Sequence, residues 1–128
     1  MWQRCMNRKD YIAALLSYFT GSFLEAVAKR EPSVIADLEH CRCKVEPSVN
    51  PPSLEFSLAN IFNALWRYAR IHGVALPNQS AWDKDFKEFC RQLMFPWPTE
   101  QFKAAGYQLR VVHKSNSYAK CEYELSAT

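Results

Sequence analysis

A chain of 128 residues that is 48% apolar and 14% aromatic has the material for one packed core, which excludes a disordered chain. Seven Lys/Arg against six Asp/Glu in residues 1–53, and nine against seven in residues 54–128, give a mild +3 with no basic tail. Any cationic surface must be assembled by folding. Five cysteines, an odd number at irregular spacing, argue against a complete disulfide framework and for reduced thiols in the cytoplasm.

The first predicted element runs from Arg8 to Lys29. Tyr11/Ile12, Leu15/Leu16, Phe19, Phe23/Leu24 and Val27 recur every three to four residues, as a helix with one buried face requires. Gly21 weakens its middle and allows a kink or close packing. Arg4, Arg8 and Lys9 before this run, and Ala26-Val27-Ala28 within it, also fit a cleavable leader. Asp10 and Glu25 at its flanks, with Ser17, Thr20 and Ser22 inside, favour an amphipathic helix too short and too polar to span a membrane. Such a face folds back on the protein, pairs with its copy in a homodimer, or meets a protein partner. Pro32 stops the helix, and Ser33 is expected to cap a short successor with Val34, Ile35 and Leu38.

Residues 45–56, VEPSVNPPSLEF, hold Pro47, Pro51 and Pro52 and read as an extended connector. The chain thus divides into a helical arm (1–45), a connector (46–56) and a main unit (57–128). Ser57 is a candidate cap for a helix carrying Leu58, Ile61, Phe62, Leu65, Tyr68 and Ala69, closed at Gly73. Ser80 caps the next, with Trp82, Phe86, Phe89, Cys90 and Leu93 on one face. After Phe95-Pro96-Trp97-Pro98, Thr99 caps a short helix closed by Gly106. Tyr107, Leu109, Val111 and His113 then alternate with Gln108, Arg110, Val112 and Lys114. Beyond a Ser115-Asn116-Ser117 turn, Ala119, Cys121, Tyr123 and Leu125 alternate with Lys120, Glu122 and Glu124, which predicts a hairpin.

The chemistry-bearing clusters are sparse. His40-Cys41-Arg42-Cys43 has one cysteine pair at a single-residue gap and no second pair, so the expectation is no metal site. Cys90 with His72 or His113 is the one nucleophile set to consider, and Cys90 sits on a buried stripe. Asp83, Asp85 and Glu88 are expected on an exposed mosaic with Lys84 and Lys87. Three glycines form no phosphate-cradling loop. No enzyme, cofactor or small-molecule substrate is expected.

Three helices followed by a hairpin resembles a winged helix-turn-helix domain, loosely similar to the small winged-helix units of phage and plasmid replication proteins, without a diagnostic motif. The expected fold is therefore α+β and mainly helical, with an N-terminal helical arm and a winged-helix-like unit. The resemblance implies a non-enzymatic DNA- or RNA-binding accessory or regulatory protein. Phosphate contacts would come from Arg110, His113, Lys114 and Lys120 on the hairpin and from Arg67 and Arg70 one turn apart on a helix. Trp66, Trp82, Trp97, Tyr107 and Tyr118 are the candidate stacking rings. The alternative is a protein-binding module or inhibitor that docks through Trp97, Tyr118, the hairpin and the arm.

Overall fold

A computed structural model describes residues 8–71, 82–94 and 98–128. The expected Gly73 and Ser80 caps, His72 and Trp97 lie outside the described residues, as do the side chains of Trp82 and Asp83. Helix α1 (Arg8–Tyr18) passes through a π turn at Phe19–Phe23 into α2 (Leu24–Ala28), followed by α3 (Pro32–His40). Strands β1 (Lys44–Glu46) and β2 (Ser53–Ser57) precede α4 (Leu58–Ile71), α5 (Trp82–Met94) and α6 (Thr99–Ala104). Strand β3 (Tyr107–His113), a 3₁₀ turn at Tyr118–Lys120 and β4 (Glu122–Ala127) end the chain. The protein is mixed α+β, with one antiparallel sheet ordered β1–β2–β4–β3.

The sheet has more strands than the expected hairpin, because part of the Pro-rich segment is itself strand. Leu54 and Phe56 alternate inward with Ser53, Glu55 and Ser57 between them, so β2 pairs directly with β4. One face of the sheet is apolar, with Val45, Leu54, Leu125 and Leu109 in one row and Phe56, Tyr123 and Val111 in the next. The other face aligns Lys44, Glu55, Glu124 and Arg110 straight across all four strands. A bulge between Val111 and His113 sets His113 opposite Glu122, not on the face of Tyr107 and Leu109 as strict alternation predicted. The second strand also starts later than expected, since Tyr118–Lys120 winds into a 3₁₀ turn.

Caps differ from the sequence expectation in two places. Glu31 is the N-cap of α3 with Pro32 in the first turn, where its missing N–H costs nothing, so Ser33 is not the cap. Pro98, not Thr99, precedes α6. At Ser57 the expectation holds: the Asn60 N–H donates to Ser57 Oγ at 3.3 Å. Gly106, at φ +89°, closes α6 as predicted. Two other helix ends use arginine in the left-handed region, Arg30 (φ 56°) and Arg42 (φ 63°). Each terminus is a paired C-cap: Arg30 N–H to Val27 O with Glu31 N–H to Ala26 O, and Arg42 N–H to Glu39 O with Cys43 N–H to Leu38 O.

The core is one cluster reaching from Tyr11 to Leu125, so the helices expected as an arm share it with the hairpin. Phe19, fully buried in the π turn, meets Phe23, Phe56 and Phe102 edge-on, with centroids 5.7, 6.3 and 5.6 Å away. Asp10–Ala28 does pass the length and hydropathy needed to cross a membrane, at 19 residues and a mean of 1.3, which corrects the reading of it as too short and polar. Its apolar stripe lies inside the protein's own core.

Phe19→Ala is expected to cost about 3–5 kcal/mol in urea unfolding. Gly21 and Gly106 should respond to alanine with opposite signs. A Cβ at Gly21 meets nothing within 4 Å and the residue is helical, so Gly21→Ala should add roughly 0.5–1 kcal/mol. Gly106→Ala keeps the space but forces φ +89° on an L-residue, and should lose about 1–2 kcal/mol.

Candidate nucleic-acid interface

Helix α4 turns one face to the core and leaves a stripe of Asn60, Asn63, Arg67 and Arg70, with Trp66 half-buried beside it. The spacing of three, four and three residues follows the helical period, so the stripe runs about 15 Å along one side. α3 packs against α4, and the paired C-cap at Arg42 turns the chain so that His40, Cys41 and Arg42 face this stripe. Together they enclose a cleft of about 380 Å³ lined by His40, Cys41, Arg42, Asn60, Asn63, Trp66 and Arg67.

Its charges are arranged by two contacts. Arg67 Nε lies 3.2 Å from Asp37 Oδ1, and the Asp37 side chain is 9% exposed against 43% for Arg67. Arg67 is thus anchored to a buried carboxylate while part of its guanidinium reaches the cleft. Arg70, beyond the cleft lining, lies over the Trp66 ring, 5.2 Å from its centroid, a cation–π contact. Arg42 is exposed and makes no ion pair among the described residues.

The hairpin loop meets the other end of α4. The Leu58 N–H, first of the helix, donates to Cys121 O at 3.1 Å. The buried Cys121 thiol lies within reach of Ser115 O (3.4 Å) and Ser117 O (3.6 Å), which holds the loop in shape. Lys114, Asn116, Tyr118 and Lys120 stay exposed on it. Of the residues expected to contact phosphate, Lys114 and Lys120 are on this loop with no ion pair among the described residues. His113 is exposed opposite Glu122. Arg110 sits on the outer sheet face, where its guanidinium pairs with Glu124 at 3.0 Å.

Several expectations change. Tyr107 is no stacking ring: it is buried, its hydroxyl donates to Pro52 O at 2.7 Å, and burial pushes its pKa up to about 12. Asp85 is 4% exposed and turned inward, not part of a solvated mosaic, and Glu88 is paired with Arg91. Lys84 and Lys87 therefore remain as exposed cations on α5. Burial pushes the Cys43 and Cys90 thiols up to about 12, so neither is a nucleophile at neutral pH. For Cys90 the nearby Cys121 thiol adds to the effect of burial. Burial also raises Cys41, partly offset by the Arg67 charge beside it.

The sequence singled out Trp66, Arg67 and Arg70 but not Arg42, Asn60 or Asn63 as their neighbours. The exposed positions of α4 were legible from its period. That the end of α3 packs across them was not.

Removing one partner of the Asp37–Arg67 pair should be asymmetric. Arg67→Ala leaves a buried carboxylate without its cation and should cost about 1–3 kcal/mol. Asp37→Asn leaves a half-exposed guanidinium that water can solvate, and should cost less in the same urea titration.

No family model, curated protein or solved structure matches this chain.

Proposed function

We propose that the chain is a small non-enzymatic nucleic-acid-binding protein of winged-helix-like build, accessory or regulatory in role and cytoplasmic. The observation that carries this reading is the α3–α4 cleft. It brings the guanidinium groups of Arg42 and Arg67 together with an indole ring and two carboxamides, with Arg70 stacked on that ring. Guanidinium groups suit phosphate, carboxamides suit base edges, and an indole suits an unpaired base. Lys114 and Lys120 stand exposed on the hairpin loop, which meets the N-terminal end of α4. The winged-helix comparison is supported by β2 lying beside the β3–β4 hairpin and by the helices between them. Free thiols at the four described cysteines suit a reducing compartment.

An unpaired strand fits this cleft better than a duplex. A duplex reading would need α5 as the groove-entering helix, and its Glu88 and Arg91 are committed to each other. On α4, by contrast, the ring and carboxamides line a concave surface.

Fluorescence anisotropy with labelled single-stranded and duplex oligonucleotides at two salt concentrations tests the proposal. Contacts from Arg42, Arg67, Arg70, Lys114 and Lys120 give an expected log–log salt slope of roughly −3.5 for a single strand. Trp66→Ala should weaken binding by about 1–3 kcal/mol, the loss of one stacked base. Arg42→Gly should lower affinity yet leave stability within about 1 kcal/mol of the parent, because glycine relieves the left-handed strain while adding chain entropy. No binding at low salt, or binding indifferent to both substitutions, would sink the reading.

A further inference from the structure

The pairing of β3 with β4 determines which of its backbone groups stay open. The Thr128 N–H donates to Gly106 O at 3.2 Å, and these residues continue the register Tyr107↔Ala127, Gln108↔Ser126. Hydrogen-bonded and open pairs alternate along an antiparallel ladder. Gln108 and Arg110 therefore turn their N–H and C=O groups toward β4, while Tyr107, Leu109 and Val111 turn theirs outward. β3 is an edge of the sheet, so these outward groups form a row about 13 Å long. The bulge after Val111 and the charge of Lys114 blunt one end of this edge but leave the regular part open.

Along that edge runs a groove of about 500 Å³, walled by Thr99, Phe102 and Lys103 of α6 and by Tyr107, Leu109 and Val111 of β3. The same three strand residues supply both the outward backbone groups and the groove wall. In a strand added here, each residue opposite Tyr107, Leu109 or Val111 would turn its side chain into the groove. Val111 is already 43% exposed, an apolar side chain at the groove's open side.

Charge selects the occupant. Residues 107–114 carry Arg110, His113 and Lys114 and no carboxylate; Arg110 pairs with Glu124 across the strands but keeps most of its side chain exposed, and Lys103 is the charged residue of the groove wall. A second copy paired edge to edge would bring another set of these cations, and no carboxylate from residues 107–114, to the same edge, which is unfavourable across a sheet. We propose that the β3 edge and its groove bind an extended acidic segment of a partner protein by strand addition, with alternate apolar side chains in the groove. This goes beyond the nucleic-acid reading and shares only Lys114 with it.

The test uses the full chain and a fluorescein-labelled heptapeptide of alternating Glu and Val, with a Lys/Val peptide as its counterpart. Saturable binding of the Glu/Val peptide is expected, with amide NMR shifts centred on Tyr107, Leu109 and Val111. Val111→Pro should abolish it, because proline removes an outward N–H and leaves the bonds to β4 in place. Arg110→Glu should weaken it roughly fivefold, because the added strand's glutamates lie on the outer face beside position 110, where attraction becomes repulsion. A Glu/Val peptide N-methylated at its valines should not bind, which needs no altered protein. Equal binding of the Lys/Val peptide, shifts centred elsewhere, or displacement by an oligonucleotide would overturn the proposal. So would a dimer in sedimentation that Val111→Pro dissolves, since the edge would then belong to a second copy. Trp66→Ala and Arg42→Gly should leave peptide binding unchanged, so the two readings fail separately.

Discussion

The fold turns on one ring. Phe19 sits in the π turn of the first helix and touches aromatic side chains from its own helix, from β2 and from α6. A π turn adds a residue to one helical turn and so shifts which side chains face inward after it. Here both Phe19 and Phe23 are fully buried, and Phe23 meets the Tyr68 ring of α4 at 5.3 Å. The first helix, the β2–α4 stretch and α6, far apart in sequence, are thereby held around a few edge-to-face contacts, each with its own geometric preference as well as its buried area. The sheet's apolar face and α4 take their positions from that centre, and the cleft takes its position from α4.

Connections near the sheet are secured by polar contacts of a different kind. Arg30 accepts a left-handed backbone and donates from Nε to Pro47 O and from Nη2 to Val49 O, at 3.0 and 2.8 Å. The Tyr107 hydroxyl donates to Pro52 O on the far side of the same loop. The β1–β2 connection is thus tied to the end of α2 and to β3, satisfying carbonyls that its prolines cannot pair through a ladder. Arg42 has the same backbone conformation but no such duty among the described residues. Its positive φ closes α3, and its exposed side chain lines the cleft.

Helical periodicity made α4 legible in the sequence because Leu58, Ile61, Phe62, Leu65 and Ala69 all obey it without a competing signal. The alternation of Tyr107, Leu109 and Val111 made β3 legible in the same way. β2 was not, since three prolines nearby outweighed the alternation of Leu54 and Phe56 in a strand of only five residues. Its place beside β4 is a non-local pairing that no window of sequence reports. The bulge after Val111 was equally hidden, and it alone decides the face of His113. For the site, composition could name Arg67 and Arg70 but not the carboxylate beneath Arg67, because Asp37 lies thirty residues away on another helix. The inward turn of Asp85 was hidden for the same reason.

Carboxylate placement then divides the surface. Glu55 and Glu124 occupy the two central strands of the outer sheet face, with Glu122 at the next position of β4, while Lys44 and Arg110 flank them on the edges. Both flanking cations are drawn toward these acids, Arg110 at 3.0 Å and Lys44 at 3.9 Å. A polyanion approaching this face meets carboxylates at its centre and cations already partly neutralised at its rim. The α3–α4 cleft differs, because its one nearby buried carboxylate lies beneath Arg67, away from solvent. Two surfaces with similar numbers of basic residues therefore differ in what they can hold, and the difference lies in where the acids are, not in how many cations there are.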